Sequence, residues 1–229
     1  MASITENYTR IEERIQQACS RGQRPRDDVR LMAVTKRQPP GAIANAAAMG
    51  LRLFGENRVQ EALAKRDQFP PDAEIHLIGH LQRNKARDAA SFFAAVQSLD
   101  AVRTVEELER RLAALDRTIP VLIEVNTSGE DSKQGVRSRE DLRAVTESIM
   151  AAPHLQLNGL MTIGPISSDE RVLRPAFASL REMRELLRRE TGLPLDELSM
   201  GMSNDLEAAI LEGSTMIRVG TALFGERRE

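Results

Sequence analysis

The chain has 229 residues, 41% hydrophobic and 29% charged, with 32 Lys+Arg against 34 Asp+Glu for a formal net charge of -2. This is the composition of an ordinary folded protein. Its charge balance gives no overall basic excess to draw in nucleic acid or an anionic membrane surface.

The predicted elements alternate from the start. Residues 4–21 carry Ile4, Tyr8, Ile11, Ile15 and Ala18 at helical spacing, which predicts an N-terminal helix. VRLMAV at 29–34 is a compact apolar run and a strand candidate. A helix over 39–49 opens on prolines, as helix N-termini often do. Strand and helix then follow at 51–55 and 58–68, at 74–79 and 84–93, and at 95–99 and 105–115. In the last of these helices Leu108, Leu112 and Leu115 share one stripe. PVLIEV at 120–125 is apolar nearly throughout, as a parallel strand covered on both faces should be. A helix at 139–150, a strand at 157–163 and a long helix at 175–190 come next. A strand at 197–201, a helix at 205–211 and a strand at 215–220 complete the pattern.

Eight strand candidates separated by helices predict parallel strands with crossover connections. In a chain of this length they predict one (β/α)₈ barrel over residues 1–229, preceded by the extra helix. An open doubly wound sheet is the alternative. It is disfavoured because no G-x-G-x-x-G follows the first strand. No apolar run approaches the roughly 18 residues of a membrane span. Residues 1–14 are charged throughout and lack the apolar core of a secretory signal. The cytoplasm is therefore the expected compartment. One cysteine, Cys19, excludes an intramolecular disulfide framework, and with three histidines it is too little for a Cys/His zinc site. Aromatics at 3% with no Trp exclude a stacking platform for single-stranded nucleic acid.

Chemistry in such barrels collects where the strands end. There stand Thr35-Lys36, Gly55-Glu56-Asn57, Gly79-His80, Asn126-Thr127-Ser128-Gly129, Thr162 to Gly164, Gly201 to Ser203, and Arg218 with Gly220-Thr221. Lys36 follows an apolar strand and precedes Pro39-Pro40, so a stiff backbone is expected. Desolvation at a strand end lowers a lysine pKa, and the neutral amine attacks carbonyls. Position alone leaves a surface-loop lysine as the alternative. Ser203 precedes a predicted helix, where a hydroxyl caps and free N–H groups suit an anion; a plain cap is compatible with that role. Phosphate sites often form after strands seven and eight, which brings in Gly220 and Thr221, although Gly220 also reads as a turn. Arg218 interrupts an apolar strand and must find a partner or the barrel mouth. An edge position or a salt bridge would also satisfy it. His76 and His80 suggest hydrogen-bonding histidines more than a metal pair.

AVTK (33–36), FGENRVQEA (54–62), HLIGHLQRNK (76–85), SMGMSNDLEAAI (199–210) and IRVGTALFG (217–225) together resemble the pyridoxal-phosphate homeostasis protein family. Its members are single-domain relatives of the alanine racemase barrel domain. The resemblance spans essentially the whole chain. It implies a barrel carrying pyridoxal 5′-phosphate (PLP). It makes Lys36 the Schiff-base lysine, Ser203, Gly220 and Thr221 the phosphate holders, Arg218 the neighbour of the pyridine nitrogen or phosphate region, and Asn57 a neighbour of the ring substituents. Lys133 matches a second lysine suspected of helping PLP exchange. Two positions depart from the family pattern. Ile75 stands where an aromatic residue is common, and Gln38 stands where many bacterial relatives have a second lysine.

The resemblance implies a PLP carrier without robust turnover, with PLP-dependent apo-enzymes as recipients, and a small barrel without a second domain is expected to be a monomer. An amino-acid racemase of low activity is the alternative. Racemisation needs an acid on each face of the substrate carbanion, and alanine racemases bring a tyrosine from a C-terminal domain that this chain, ending at Glu229, is expected to lack. The single tyrosine, Tyr8, sits on the first predicted helix at a packing position, which leaves His80 as the best substitute. A sugar-phosphate enzyme with an aldolase-type Lys36 is a third reading, weakened by the five motifs.

Overall fold

A computed structural model describes residues 3–39 and 41–225 of the chain. Its elements alternate as α1 (Ile4–Arg21), β1 (Arg30–Val34), α2 (Gly41–Ala48), β2 (Leu53–Glu56), α3 (Val59–Ala64), β3 (Glu74–Leu77), α4 (Ala86–Phe92), β4 (Ala95–Leu99), α5 (Val102–Ala113), β5 (Ile119–Glu124), α6 (Arg139–Met150), β6 (Leu155–Met161), α7 (Glu170–Thr191), β7 (Glu197–Met202), α8 (Leu206–Leu211), β8 (Met216–Val219) and α9 (Thr221–Phe224). The strands are parallel and form a closed barrel in chain order, with β8 paired onto β1. All eight predicted strands are present, and the extra N-terminal helix is in place.

The period of two along each strand divides the core into two layers. In β1, Leu31 and Ala33 join the large apolar cluster shared with the helices. Met32 and Val34 point the other way, into the barrel, and pack with Leu53, Ile78 and Met216. A helix covers the outer face of a strand only if its own stripe is apolar. α5 meets this with Val105, Leu108 and Leu112, and α6 with Leu142, Val145 and Ile149. α1 begins with a reciprocal cap between Ser3 and Glu6. It packs against α8 and α9, tied by Arg14 to Glu207 through two hydrogen bonds of 2.6 and 2.8 Å.

Three differences from the expected pattern have physical causes. The helix expected at 175–190 starts earlier, at Glu170, because the Asp169 side chain caps it by accepting from the Arg171 N–H. Leu173 extends the buried stripe of Phe177 and Leu180 into that turn. This burial outweighs the one main-chain bond lost at Pro175. The helix expected at 58–68 splits into α3 and a 3-10 turn, Arg66–Gln68. The short α9, directly after β8, is too brief to show a helical period in the sequence. Pro40, half of the proline pair expected to stiffen the segment after Lys36, lies outside the described residues.

The β6–β7 contact is close enough to require glycine. Gly159 pairs with Glu197, and a Cβ at position 159 would stand 1.9 Å from the Glu197 carbonyl oxygen. Gly159→Ala should therefore lower stability by about 2–4 kcal/mol through forced backbone displacement. Urea unfolding reads this as a lower midpoint at unchanged slope; an unmoved midpoint contradicts the packing described.

Candidate functional site

A cavity of about 430 Å³ opens at the C-terminal ends of the strands, and the six residues singled out from the sequence all line it. Lys36 leaves the end of β1 and Asn57 the end of β2. Ser203 follows β7, Arg218 lies within β8, and Gly220 and Thr221 follow it. Lys133, from the segment after β5, and Gln38 also reach this cavity. His80 does not line it: its Nδ1 lies 3.8 Å from Asp100 Oδ2.

Three of these positions, Ser203, Gly220 and Asn57, are fixed from behind. Ser203 is held at its carbonyl by Arg14 Nη1 at 2.9 Å, so α1 buttresses this end of the cavity. The Ser203 Oγ accepts from the Ala222 N–H at 3.1 Å, joining the loop after β7 to the start of α9. Gly220 lies against β1, where a Cβ would meet the Val34 carbonyl oxygen at 3.3 Å. Asn57 is placed by Gly79: a Cβ there would sit 2.3 Å from the Asn57 carbonyl oxygen. The Asn57 Oδ1 is buried with no hydrogen-bond partner.

Arg218 is 4% exposed. Its Nη1 donates to Ser199 Oγ and its Nη2 to the Thr162 carbonyl, both at 2.8 Å. Burial lowers its pKa to about 10, opposed by the charges of Asp205 and Glu124. Behind it a polar seam runs down the barrel interior. Ser199 Oγ donates to Gln97 Oε1 at 2.6 Å. Gln97 Nε2 lies 2.7 Å from His76 Nδ1, and His76 Nε2 lies 2.7 Å from Glu74 Oε1. This order makes His76 the tautomer protonated on Nε2, since Nδ1 must accept from the Gln97 amide. His76 is thus a hydrogen-bonding core histidine, as expected, and no metal-binding cluster occurs among the described residues.

Beside Lys36 lies a group of which the sequence pattern picks out Thr35 and Glu56 as strand-end residues but not Glu61 or Lys65. The Lys65 ammonium donates to the Thr35 carbonyl at 2.9 Å, to Glu56 Oε1 at 2.8 Å and to Glu61 Oε1 at 2.9 Å. Thr35 Oγ1 donates to Glu56 Oε1 at 2.6 Å, and the Arg37 N–H donates to Glu61 Oε1. Burial pushes the Glu56 carboxyl up despite Lys65 and Thr35. Burial also works to raise Glu61, but the Arg37 N–H and Lys65 outweigh it and hold that carboxyl below its usual value. The available signal was Glu56 at the end of an apolar strand, followed by a Glu61–Lys65 pair at i,i+4.

Comparison with known proteins shows what the chain is similar to. The family model described as alanine racemase, N-terminal domain, matches residues 6–228. The pyridoxal phosphate homeostasis protein of Aquifex aeolicus is 42% identical over 224 residues, covering 97% of this chain and 98% of its own. The protein of the same name from Pseudomonas aeruginosa is 43% identical over 228 residues, covering 99% and 97%. The structure of PipY from Synechococcus elongatus PCC7942 with PLP bound is 40% identical with a TM-score of 0.81, covering 94% of this chain and all of that one.

The barrel interior also holds Glu124, at the end of β5. Burial raises its pKa from 4.5 to about 7; Asp100 adds to this and Arg218 opposes it. The native state therefore binds a proton that the unfolded chain releases at lower pH. Stability should fall as pH rises from about 4.5 to about 7 and then level off, with about 1–3 kcal/mol at stake. Urea midpoints across that range would show the slope, and Glu124→Gln should flatten it. A slope of opposite sign, or one unchanged in the variant, contradicts this account.

Proposed function

The chain belongs to the alanine racemase N-terminal domain family, among the pyridoxal phosphate homeostasis proteins, and on that premise we propose that it binds PLP in this cavity and serves intracellular PLP homeostasis. The observation that carries the reading is one cavity with an amine at one strand end and a hydroxyl-lined turn beside it. Lys36 emerges from β1, and Ser203, Gly220 and Thr221 gather at β7 and β8. A ligand with an aldehyde at one end and a phosphate at the other matches that layout. The orphaned Asn57 Oδ1 suits the ring hydroxyl, a donor that the protein itself does not supply.

PLP brings an aldehyde that condenses with amines and a ring that withdraws electrons. The chain's residues do the rest. Lys36 would hold the aldehyde carbon. The Ser203 and Thr221 hydroxyls and the main chain at Gly220 would hold the phosphate oxygens. Arg218 has only donors, and its guanidinium is pinned by Ser199 and Thr162. Set against the ring nitrogen, it would leave that nitrogen unprotonated and the electron sink weak, which would suit carriage over carbanion chemistry. A racemase would need a second acid across the ring from Lys36. Tyr8 packs against the core from α1, and His80 stands beside Asp100.

The same reading makes residues 1–229 one PLP-binding barrel, monomeric and cytoplasmic, with PLP-dependent apo-enzymes as recipients and indirect effects on amino-acid and keto-acid balance. Among the described residues no helix is long and apolar enough to cross a membrane, and neither membrane nor nucleic acid is a proposed partner.

The deciding experiment is an absorption spectrum of the PLP-loaded protein before and after borohydride, followed by peptide mapping. The label should sit on Lys36; recovery solely on Lys65, Lys85 or Lys133 overturns the assignment. Lys36→Ala should lose the visible band and keep its fold. A double variant, Ser203→Ala with Thr221→Val, removes two donors to a charged group. PLP retention on dialysis should weaken by about 1–3 kcal/mol, and unchanged retention would place the phosphate elsewhere.

A further inference from the structure

Lys36 sits between two main-chain groups that one buried ion cluster holds. The carbonyl before it, that of Thr35, accepts from Lys65 Nζ at 2.9 Å. The N–H after it, that of Arg37, donates to Glu61 Oε1. Lys65 joins both sides, since the same ammonium bonds Glu61 and Glu56. Glu56 closes the loop through the Thr35 hydroxyl. β1, β2 and α3 therefore meet at the two peptide groups flanking Lys36.

Two features argue that this cluster does more than hold the fold. Arg37 has φ +55°, in the left-handed region. Such a conformation is costly without glycine and persists only where surrounding bonds impose it. The second feature is burial. Lys65 is 9% exposed and Glu56 fully buried, and a buried ion pair adds little net stability over well-packed apolar residues. What it does add is a defined conformation, imposed on the residue from which the Lys36 side chain starts.

We propose that Glu61 and Lys65 are positioning residues for Lys36, fixing its main chain so that the amine meets the aldehyde of the bound cofactor. This rests on the PLP reading above. In the step concerned the Lys36 nitrogen adds to the aldehyde carbon and a C=N bond forms. The aldehyde oxygen leaves as water with the two amine hydrogens, and no oxidant or reductant is needed. Orientation of two reacting groups is where a small main-chain displacement has a large effect.

The test compares two ligands of the same protein. PLP has the aldehyde; pyridoxine 5′-phosphate keeps the ring and phosphate but has an alcohol in its place. Glu61→Ala removes a partly exposed side chain and leaves Lys65 paired with Glu56, so the fold should stand. PLP affinity should fall about tenfold, while affinity for pyridoxine 5′-phosphate stays within about twofold. Glu61→Gln keeps an acceptor for the Arg37 N–H and should recover most of the loss. Lys65→Met combined with Glu56→Gln removes the ammonium without stranding a fully buried charge, since Glu61, which also loses its partner, is partly exposed, and it should show the same split. Equal losses for both ligands mean a merely structural role, and no loss for either means no role; each overturns the proposal. If the unsubstituted protein binds both ligands equally and borohydride leaves Lys36 unlabelled, the PLP reading itself fails, a result distinct from failure of the clamp.

Discussion

β8 pairs with β1 in a register that runs from Arg30↔Met216 to Ala33↔Val219. The two strands therefore end at one level, and the segments leaving them must emerge side by side. Lys36 comes after β1, and Gly220-Thr221 come after β8. Residues from opposite ends of the chain thus share a cavity because a sheet of eight parallel strands has closed. The contact is tight enough to limit side chains, since a Cβ at Gly220 would already press on the Val34 carbonyl. An open sheet would leave β1 and β8 unpaired and the amine remote from the turn. The N-terminal helix reinforces the same seam: it holds Glu207 and the Ser203 carbonyl through Arg14.

Closure also creates an interior in which side chains from different strands must satisfy one another. Much of that interior is apolar, with Met32, Val34, Leu53, Ile78 and Met216 packed together. Against them lies the seam from Arg218 through Ser199, Gln97 and His76 to Glu74. Buried polar groups are tolerable only when partnered, and here each donor faces an acceptor in one consistent direction. At the far end His76, with Arg30 assisting, holds the Glu74 carboxyl down to about 2, against its own partial burial. Arg218 therefore has its orientation set from below, independently of any ligand above it. A guanidinium fixed in this way is a preorganised donor, and meeting it costs a ligand no rearrangement of the protein.

The fold was legible because the alternation of short apolar runs with amphipathic ones is repeated so often that boundary errors do not change the topology. The boundaries that failed did so where a local rule competed with packing. Pro175 reads as a helix start, but Asp169 and Leu173 supply a cap and a buried contact upstream of it. The rim residues were legible for a related reason: strand ends are known once strands are known. The clamp around Lys36 was not. A Glu61–Lys65 pair on a helix ordinarily reads as a solvated face, and only the three-dimensional neighbourhood shows the ammonium turned inward to Glu56 and the Thr35 carbonyl. Gln97 and Ser199 were equally silent, because a polar residue at an inward strand position means little until its cross-barrel partner is known.

The charge of the whole molecule gives a misleading impression of its site. The net charge is -2, yet Lys36, Lys133 and Arg218 line one cavity with Asp205 as the acidic group beside them. That carboxylate is occupied: its Oδ1 accepts from the Met202 N–H at 2.5 Å, which shapes the turn after β7. Lys133 is partly neutralised, bonded to Glu130 Oε1 at 2.6 Å and to the Gly164 carbonyl at 2.8 Å. Arg218 is buried among neutral oxygens, and the two carboxylates that influence it do so without an ion pair in contact. Three basic side chains and one acidic one therefore meet at a single cavity in a chain whose net charge is slightly negative. An anion entering it would exchange hydration for oriented donors such as the Arg218 guanidinium, which Ser199 and Thr162 already hold in place.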